Sequence, residues 1–166
     1  GYLPIWHLYG QDNYCMIGNH AVPVVVDAYL KGQLKGIDGE RVLDAVVTSC
    51  TRSHLGSNFE AWEQYGYMPE NIHSQSVSVT LEQSFDDWCV ALLAKRLGKQ
   101  DIYERFMKRS RFYRNLFNPA NGFFQGKNSD GKWLEPFDPL RYGANGGNPY
   151  TEGNAWQYVW LVPHDV

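Results

Sequence analysis

Between Val77 and Leu97 the apolar residues Leu81, Phe85, Trp88, Leu92 and Leu93 fall at the spacing of one helical face. Thr80 with Gln83 offers a capping box at the start, with Ser76 or Ser78 as alternative caps, and Gly98 offers the stop. The remaining sequence supplies partners of the same kind. HAVPVVVDAYLKG places Val22, Val25, Val26, Tyr29 and Leu30 on a helix that starts close to His20, since Pro23 is tolerated only in a first turn. Gly32 and Gly36 end it. Asp38 is placed to cap a second helix with Val42, Leu43, Val46, Val47 and Cys50 on one face. Another helix is expected from Asp101 to Phe117, turning Ile102, Phe106, Tyr113, Leu116 and Phe117 inward and stopping at Asn118-Pro119.

Between these helices, residues 1–16 read as an extended entry and residues 53–75 as a connection holding YGYMP. Short aromatic runs around SDG read as a small hairpin, and GANGGNP as a flexible loop. A fifth helix is expected to begin near Thr151 and to stop at Pro163. No series of strands and no βαβ alternation is visible. The fold class is all-α: antiparallel helical hairpins forming a bundle or part of a toroid.

Composition narrows the function classes. A chain of 166 residues suffices for one domain with a core. A net charge of −3 gives no basic footprint for nucleic acid, and no apolar run is long enough to span a membrane. Cys15, Cys50 and Cys89 fit neither a disulfide framework nor a zinc site. Six Trp, eleven Tyr and eight Phe are enough to fill a large core or to line a concave site whose rings suit the C–H face of a sugar.

Few residues carry chemistry by spacing. With Thr151 as cap, Glu152 falls in the first turn of the last helix, on one face with Trp156 and Trp160. There the helix terminus favours the carboxylate, whereas burial against indole rings favours the neutral acid, a proton donor. The same position also serves as a plain helix start. Asp86 and Asp87, about 100° apart on a helix, form no catalytic pair, while Glu82 and Asp86 share a face. His20, His164 and Asp165 match no metal-binding spacing. No Cys-His-Asn grouping makes Cys15 a nucleophile.

Several blocks taken together are more specific. GYLPIWHL, CMIGNHAVPVVVDAYLKG, YGYMP, SVSVTLEQSFDDWCVALLAKRLGK, NPANGFFQGKNSDGKW, PFDP and YTEGNAWQYVWLVPHDV resemble, in order and over nearly the whole chain, the catalytic domain of glycoside hydrolase family 92. That family consists of calcium-dependent, inverting exo-α-mannosidases. The resemblance implies an (α/α)6 toroid. Six hairpins need about twelve helices of roughly 10–14 residues each, so residues 1–166 are expected to be an incomplete piece of a single catalytic domain. The family's N-terminal β-sandwich and the rest of the toroid would be partners within the same enzyme.

The resemblance also assigns roles. Glu152 matches the family's general acid. The general-base aspartates belong to a Gly-Asn-Asp-type block that is not in this sequence, and most calcium ligands are expected outside it, so no metal ligand is assigned. Tyr14 and Cys15 carry over as candidate substrate contacts, with Trp156 and Gln157 lining the site beside Glu152. Asp12-Asn13 stands where the family pattern has Glu-Thr, and Tyr14 where many α-1,2-specific members are acidic, which leaves the linkage preference open. The implied substrate is a terminal α-mannoside of N-glycan or mannan type, and the implied location periplasmic or secreted. Two alternatives are a non-catalytic carbohydrate-binding or scaffold piece and another (α/α)6 glycosidase.

Overall fold

A computed structural model describes residues 2–143 and 148–166. Most of the GANGGNP loop lies outside the described residues. The elements in chain order are β1 (His7–Leu8), β2 (Gln11–Asp12), α1 (Ala21–Leu30), α2 (Gly39–Ser49), α3 (Phe59–Tyr65), α4 (Ser76–Arg96), α5 (Gln100–Arg109), a 3-10 turn (Phe112–Leu116), β3 (Phe117–Asn118), β4 (Phe123–Phe124) and α6 (Ala155–Tyr158). The strands form two minimal antiparallel ribbons, β1 with β2 and β3 with β4. The protein is helix-rich, as the spacing of apolar residues predicts.

The long helix α4 is the centre, packed against α1, α2, α5 and the 3-10 turn. It is enclosed on nearly every side, so its buried positions include Ser78, Thr80, Gln83, Ser84, Asp86 and Asp87 besides Val79, Leu81, Val90 and Leu93. This corrects the expected stripe. Leu81 and Leu93 are buried, but Phe85, Trp88 and Leu92 lie half-buried beside α1. One apolar cluster joins α1 to α5 through Val22, Val46, Trp62, Val90 and Phe106. A second, formed by Tyr67, Val77, Leu81, Tyr113, Leu116, Phe124 and Tyr150, backs the first half of α4.

Four other expectations change. The 53–75 connection contains α3, a helix too short to show a period. Asn58 caps it by accepting from Ala61 N (3.0 Å), and Gly66 ends it at φ +68. The expected 101–117 helix breaks after Arg109. The 3-10 turn that follows lets Tyr113 N donate to Ser84 Oγ (3.2 Å), and Phe117 enters a strand and stays exposed. Asp38 precedes α2, but its side chain makes no capping bond, and neither Thr80 nor a serine caps α4. The SDG hairpin does form: Lys127 pairs with Trp133, and Gly131 N donates to Asn128 O (2.9 Å).

A buried ion pair ties the helices together. Arg109 and Asp87 are each 1% exposed. Arg109 Nε and Nη2 donate to the two oxygens of Asp87 (both 2.8 Å), Nη2 also reaches Cys50 O (2.7 Å), and Nη1 reaches Glu63 Oε1 (2.7 Å). Trp62 Nε1 donates to Asp87 Oδ2 (3.0 Å). Burial pushes the Asp87 carboxyl up to about 6 against the pull of Arg109, leaving the pair charged at neutral pH. Removing one partner of a buried pair strands the other charge, at a cost of about 3–5 kcal/mol. Arg109→Met is therefore expected to destabilise the fold by about that amount in chemical denaturation followed by tryptophan fluorescence. A loss below about 1 kcal/mol would contradict it.

Candidate active site

The segment carrying Glu152 is built against the start of α4, where the first N–H groups have no partner inside the helix. Glu70 Oε2 accepts from Ser76 N (3.0 Å). The Pro149 carbonyl accepts from Val77 N (3.0 Å) and Ser78 N (3.3 Å), and Asn148 O accepts from Gln75 N (3.1 Å). Burial pushes the Glu70 carboxyl up, while the hydrogen bonds from Ser76 pull against it. Residues 148–151 thus lie along the helix start. Thr151 N donates to Ser78 Oγ (2.8 Å), and the Thr151 hydroxyl bonds Gln75 Oε1. The Thr151 carbonyl accepts from the Tyr158 hydroxyl (2.7 Å). On the other side, Gly153 exchanges backbone bonds with Gly143 (2.7 and 3.1 Å). A Cβ at Gly143 would come within 1.8 Å of Tyr150 O, so this approach requires glycine.

Glu152 sits between these anchors, exposed and at φ +49. The left-handed region costs a residue with a Cβ about 1–2 kcal/mol, and such strain gathers at functional sites. The expected helix start at Thr151 is therefore corrected. Asn154 is the cap, in a full capping box with Gln157, and Glu152 precedes the helix by three residues. The four- and eight-residue spacing to Trp156 and Trp160 has no helix to act through. Trp156 is 53% exposed, edge-on to Phe123 at 4.8 Å, and Trp160 is 81% exposed. The acid is not walled by indoles. Gln157 Oε1 accepts from Asn154 N (3.0 Å), so its amide is partly spent on the cap. A cleft of about 220 Å³ lies near this loop, lined by Glu70, Glu135, Phe137, Arg141 and Tyr150 among others, but Glu152 is not in its wall.

A polar ridge leads away from the acid loop. Ser78, Glu82 and Asp86 are spaced four apart on α4, over a rise of about 12 Å. Ser78 holds Thr151. His20 bridges Glu82 (Nε2 to Oε2, 2.5 Å) and Asp86 (Nδ1 to Oδ1, 3.1 Å), so the two carboxylates on one face share a cation. Asp86 Oδ2 also accepts from Asn19 N (2.7 Å). Burial pushes the His20 imidazole down, but the bonds to Asp86 and Glu82 outweigh it and raise it to about 10. Gly18, at φ +75, leaves room for the ring, since a Cβ there would meet His20 Nε2 at 2.7 Å.

The ridge ends at the entry segment. Asn19 Oδ1 contacts His54 Nε2 (3.2 Å), and His54 stacks on Tyr2 at 4.4 Å, with Tyr14 at 5.9 Å. The Tyr2 and Tyr14 hydroxyls are hydrogen-bonded (2.5 Å). Asp12 clamps the entry by accepting from Ile5 N (2.8 Å), Trp6 N (3.1 Å) and Tyr14 N (3.1 Å). Tyr14 is left-handed at φ +55, and Cys15 is exposed.

The sequence-derived site residues therefore form two groups, Glu152 with Trp156 and Gln157, and Tyr14 with Cys15. Among the described residues no hydrogen bond or ring contact joins them directly, and the α4 ridge connects them. Asp86 and Asp87 part to opposite partners, His20 and Arg109, as their angular separation predicts. His164 Nε2 donates to Ser110 O (2.9 Å), while Asp165 accepts from Tyr113 and Arg114, so both brace the chain. Sequence reasoning missed Gln75, Ser78, Gly143 and Tyr158. The one readable signal was the Asn154-x-x-Gln157 box.

Comparison with known proteins bears on this arrangement. The family description "Glycosyl hydrolase family 92 catalytic domain" matches residues 1–166. The chain belongs to glycoside hydrolase family 92. It is 40% identical, with a TM-score of 0.91, to a family 92 α-mannosidase of Bacteroides thetaiotaomicron solved with mannoimidazole, over 98% of this chain and 22% of that one. A family 92 inverting mannosidase of the same organism is 36% identical at a TM-score of 0.89, over 97% of this chain and 22% of that one. An uncharacterized secreted glycosidase of Arthroderma benhamiae is 28% identical over all of this chain and 26% of its own length. This family 92 chain thus spans about a quarter or less of these relatives. No helix among the described residues is long and apolar enough to cross a membrane.

His20 supplies a pH test. Its folded value lies above the ordinary value of about 6.5, so its ion bridge contributes fully below about pH 6.5 and is lost as pH rises through about 10. The His20 ring signals in NMR are expected to stay constant from about pH 6 to 8 and to titrate near 10. A midpoint near 6.5 would contradict the bridge.

Proposed function

We propose that this chain is the acid-bearing part of an inverting, calcium-dependent exo-α-mannosidase, with Glu152 as general acid. The chemistry follows from inversion. Protonated Glu152 gives its proton to the glycosidic oxygen as the C1–O bond breaks and the aglycone leaves as an alcohol. A water oxygen bonds to C1 from the opposite face, and its proton passes to a second carboxylate. The two carboxyls of such an enzyme stand about 6.5–9.5 Å apart to admit that water. The base is assigned to residues outside this chain.

The observation that carries this reading is an exposed glutamate held left-handed between two anchored residues. The names of the solved relatives, an α-mannosidase and an inverting mannosidase, support the substrate and the stereochemistry. Tyr14 and Cys15 are proposed to contact the sugar from the entry segment, and Trp156 and Gln157 to border it beside the acid. The helices are proposed to be part of one (α/α)6 domain that the rest of the enzyme completes. Among the described residues there is no group of three or more His, Cys, Asp or Glu side chains placed for a metal ion, and no step here runs through calcium.

In the full-length enzyme, Glu152→Gln is expected to lower kcat on an unactivated α-mannoside about 10²–10⁴-fold. An aryl α-mannoside with a nitrophenolate leaving group needs little protonation and should lose far less. Equal turnover of mutant and parent on a natural disaccharide would remove the assignment.

A further inference from the structure

Both peptide groups flanking Glu152 are tied to other parts of the fold. The 151–152 peptide offers its carbonyl to the Tyr158 hydroxyl (2.7 Å), and the 152–153 peptide donates its N–H to Gly143 O (3.1 Å). The two planes share the Glu152 Cα, so fixing both fixes the backbone angles there. The tie is referenced to α4, because Thr151 N rests on Ser78 Oγ (2.8 Å). Tyr158 is itself placed. It closes the single turn of α6 that the Asn154–Gln157 capping box starts, and its ring packs on Tyr150 at 5.8 Å. The box therefore returns a hydroxyl to a carbonyl seven residues back.

A residue with a Cβ leaves the left-handed region unless its surroundings hold it there. Gln75, whose side chain bonds the Thr151 hydroxyl, is also left-handed, at φ +64. Of the four non-glycine residues described with positive φ, Gln75 thus touches the chain neighbour of a second, Glu152. We propose that Tyr158 and Ser78 are positioning residues that hold Glu152 left-handed, so that its carboxyl projects to the glycosidic oxygen. This rests on Glu152 being the acid. Neither residue touches the substrate; both act through the backbone of Thr151.

The test uses the full-length enzyme with an unactivated α-mannoside and a nitrophenyl α-mannoside. Tyr158→Phe removes one oxygen and leaves the ring. It is expected to lower kcat on the unactivated substrate about 10–100-fold, with KM within about twofold and the activated substrate within about threefold. In a Glu152→Gln background it should add no further loss. Ser78→Ala should act in the same direction, and Ser78→Thr, which keeps the hydroxyl, should restore turnover. An equal fall on both substrates, or a full further loss in the Glu152→Gln background, would overturn the proposal, because the ties would then serve folding alone. Parent-like turnover of Tyr158→Phe and Ser78→Ala beside an inactive Glu152→Gln would also overturn it, while leaving the acid in place. A parent-like Glu152→Gln would remove the acid reading itself.

Discussion

Arg109 enters the interior from α5 with its guanidinium over the Phe106 ring at 4.7 Å and closes a fork on Asp87 of α4. The same group reaches Cys50 O at the end of α2 and Glu63 on α3, and Trp62 completes the shell around Asp87. Four helices meet on one cation. Two charges this deep are tolerable only because nearly every donor and acceptor is matched. The arrangement presents the Asp87 side of α4 to α3, α5 and the end of α2.

With that side so placed, the other faces of α4 follow. Asp86 lies about 100° from Asp87 and therefore turns to His20. Glu82 and Ser78 continue the same face toward the helix start, where Thr151 is seated. The acid loop is joined to the core by backbone geometry: carbonyls 148 and 149 satisfy the helix terminus, and Thr151 and Gly153 hold Glu152 between them. An exposed carboxyl on a mobile tail would lose the advantage of orientation, whereas one on a doubly tied peptide keeps it.

The long helices were legible because their apolar spacing and glycine stops act locally. The helix-rich class is read from Val22, Val42, Leu81 and similar positions, and the bounds of α1 and α4 from Pro23, Gly32 and Gly98. The stripe on α4 is misread because enclosure on nearly every side lets Ser84 or Gln83 be buried as readily as leucine. Short elements escaped for a related reason. Seven residues in α3 and four in α6 are held by caps and long-range bonds, which periodicity does not register. Glu152 was singled out by its sequence block, but its setting was wrong, since the helix starts three residues later. The residues that fix it, Ser78 and Tyr158, act through pairings set by the tertiary fold, and Ser78 is 73 positions away from its partner.

The central claim is that the loop tied to α4 delivers a proton donor to the scissile bond. A crystal structure of the full-length enzyme with an uncleaved α-mannoside tests it most directly. The account predicts a Glu152 carboxyl oxygen about 2.6–3.2 Å from the glycosidic oxygen, with Glu152 still left-handed and Tyr158 still on the Thr151 carbonyl. Another carboxyl group in that position, with Glu152 out of reach of the sugar, would contradict it.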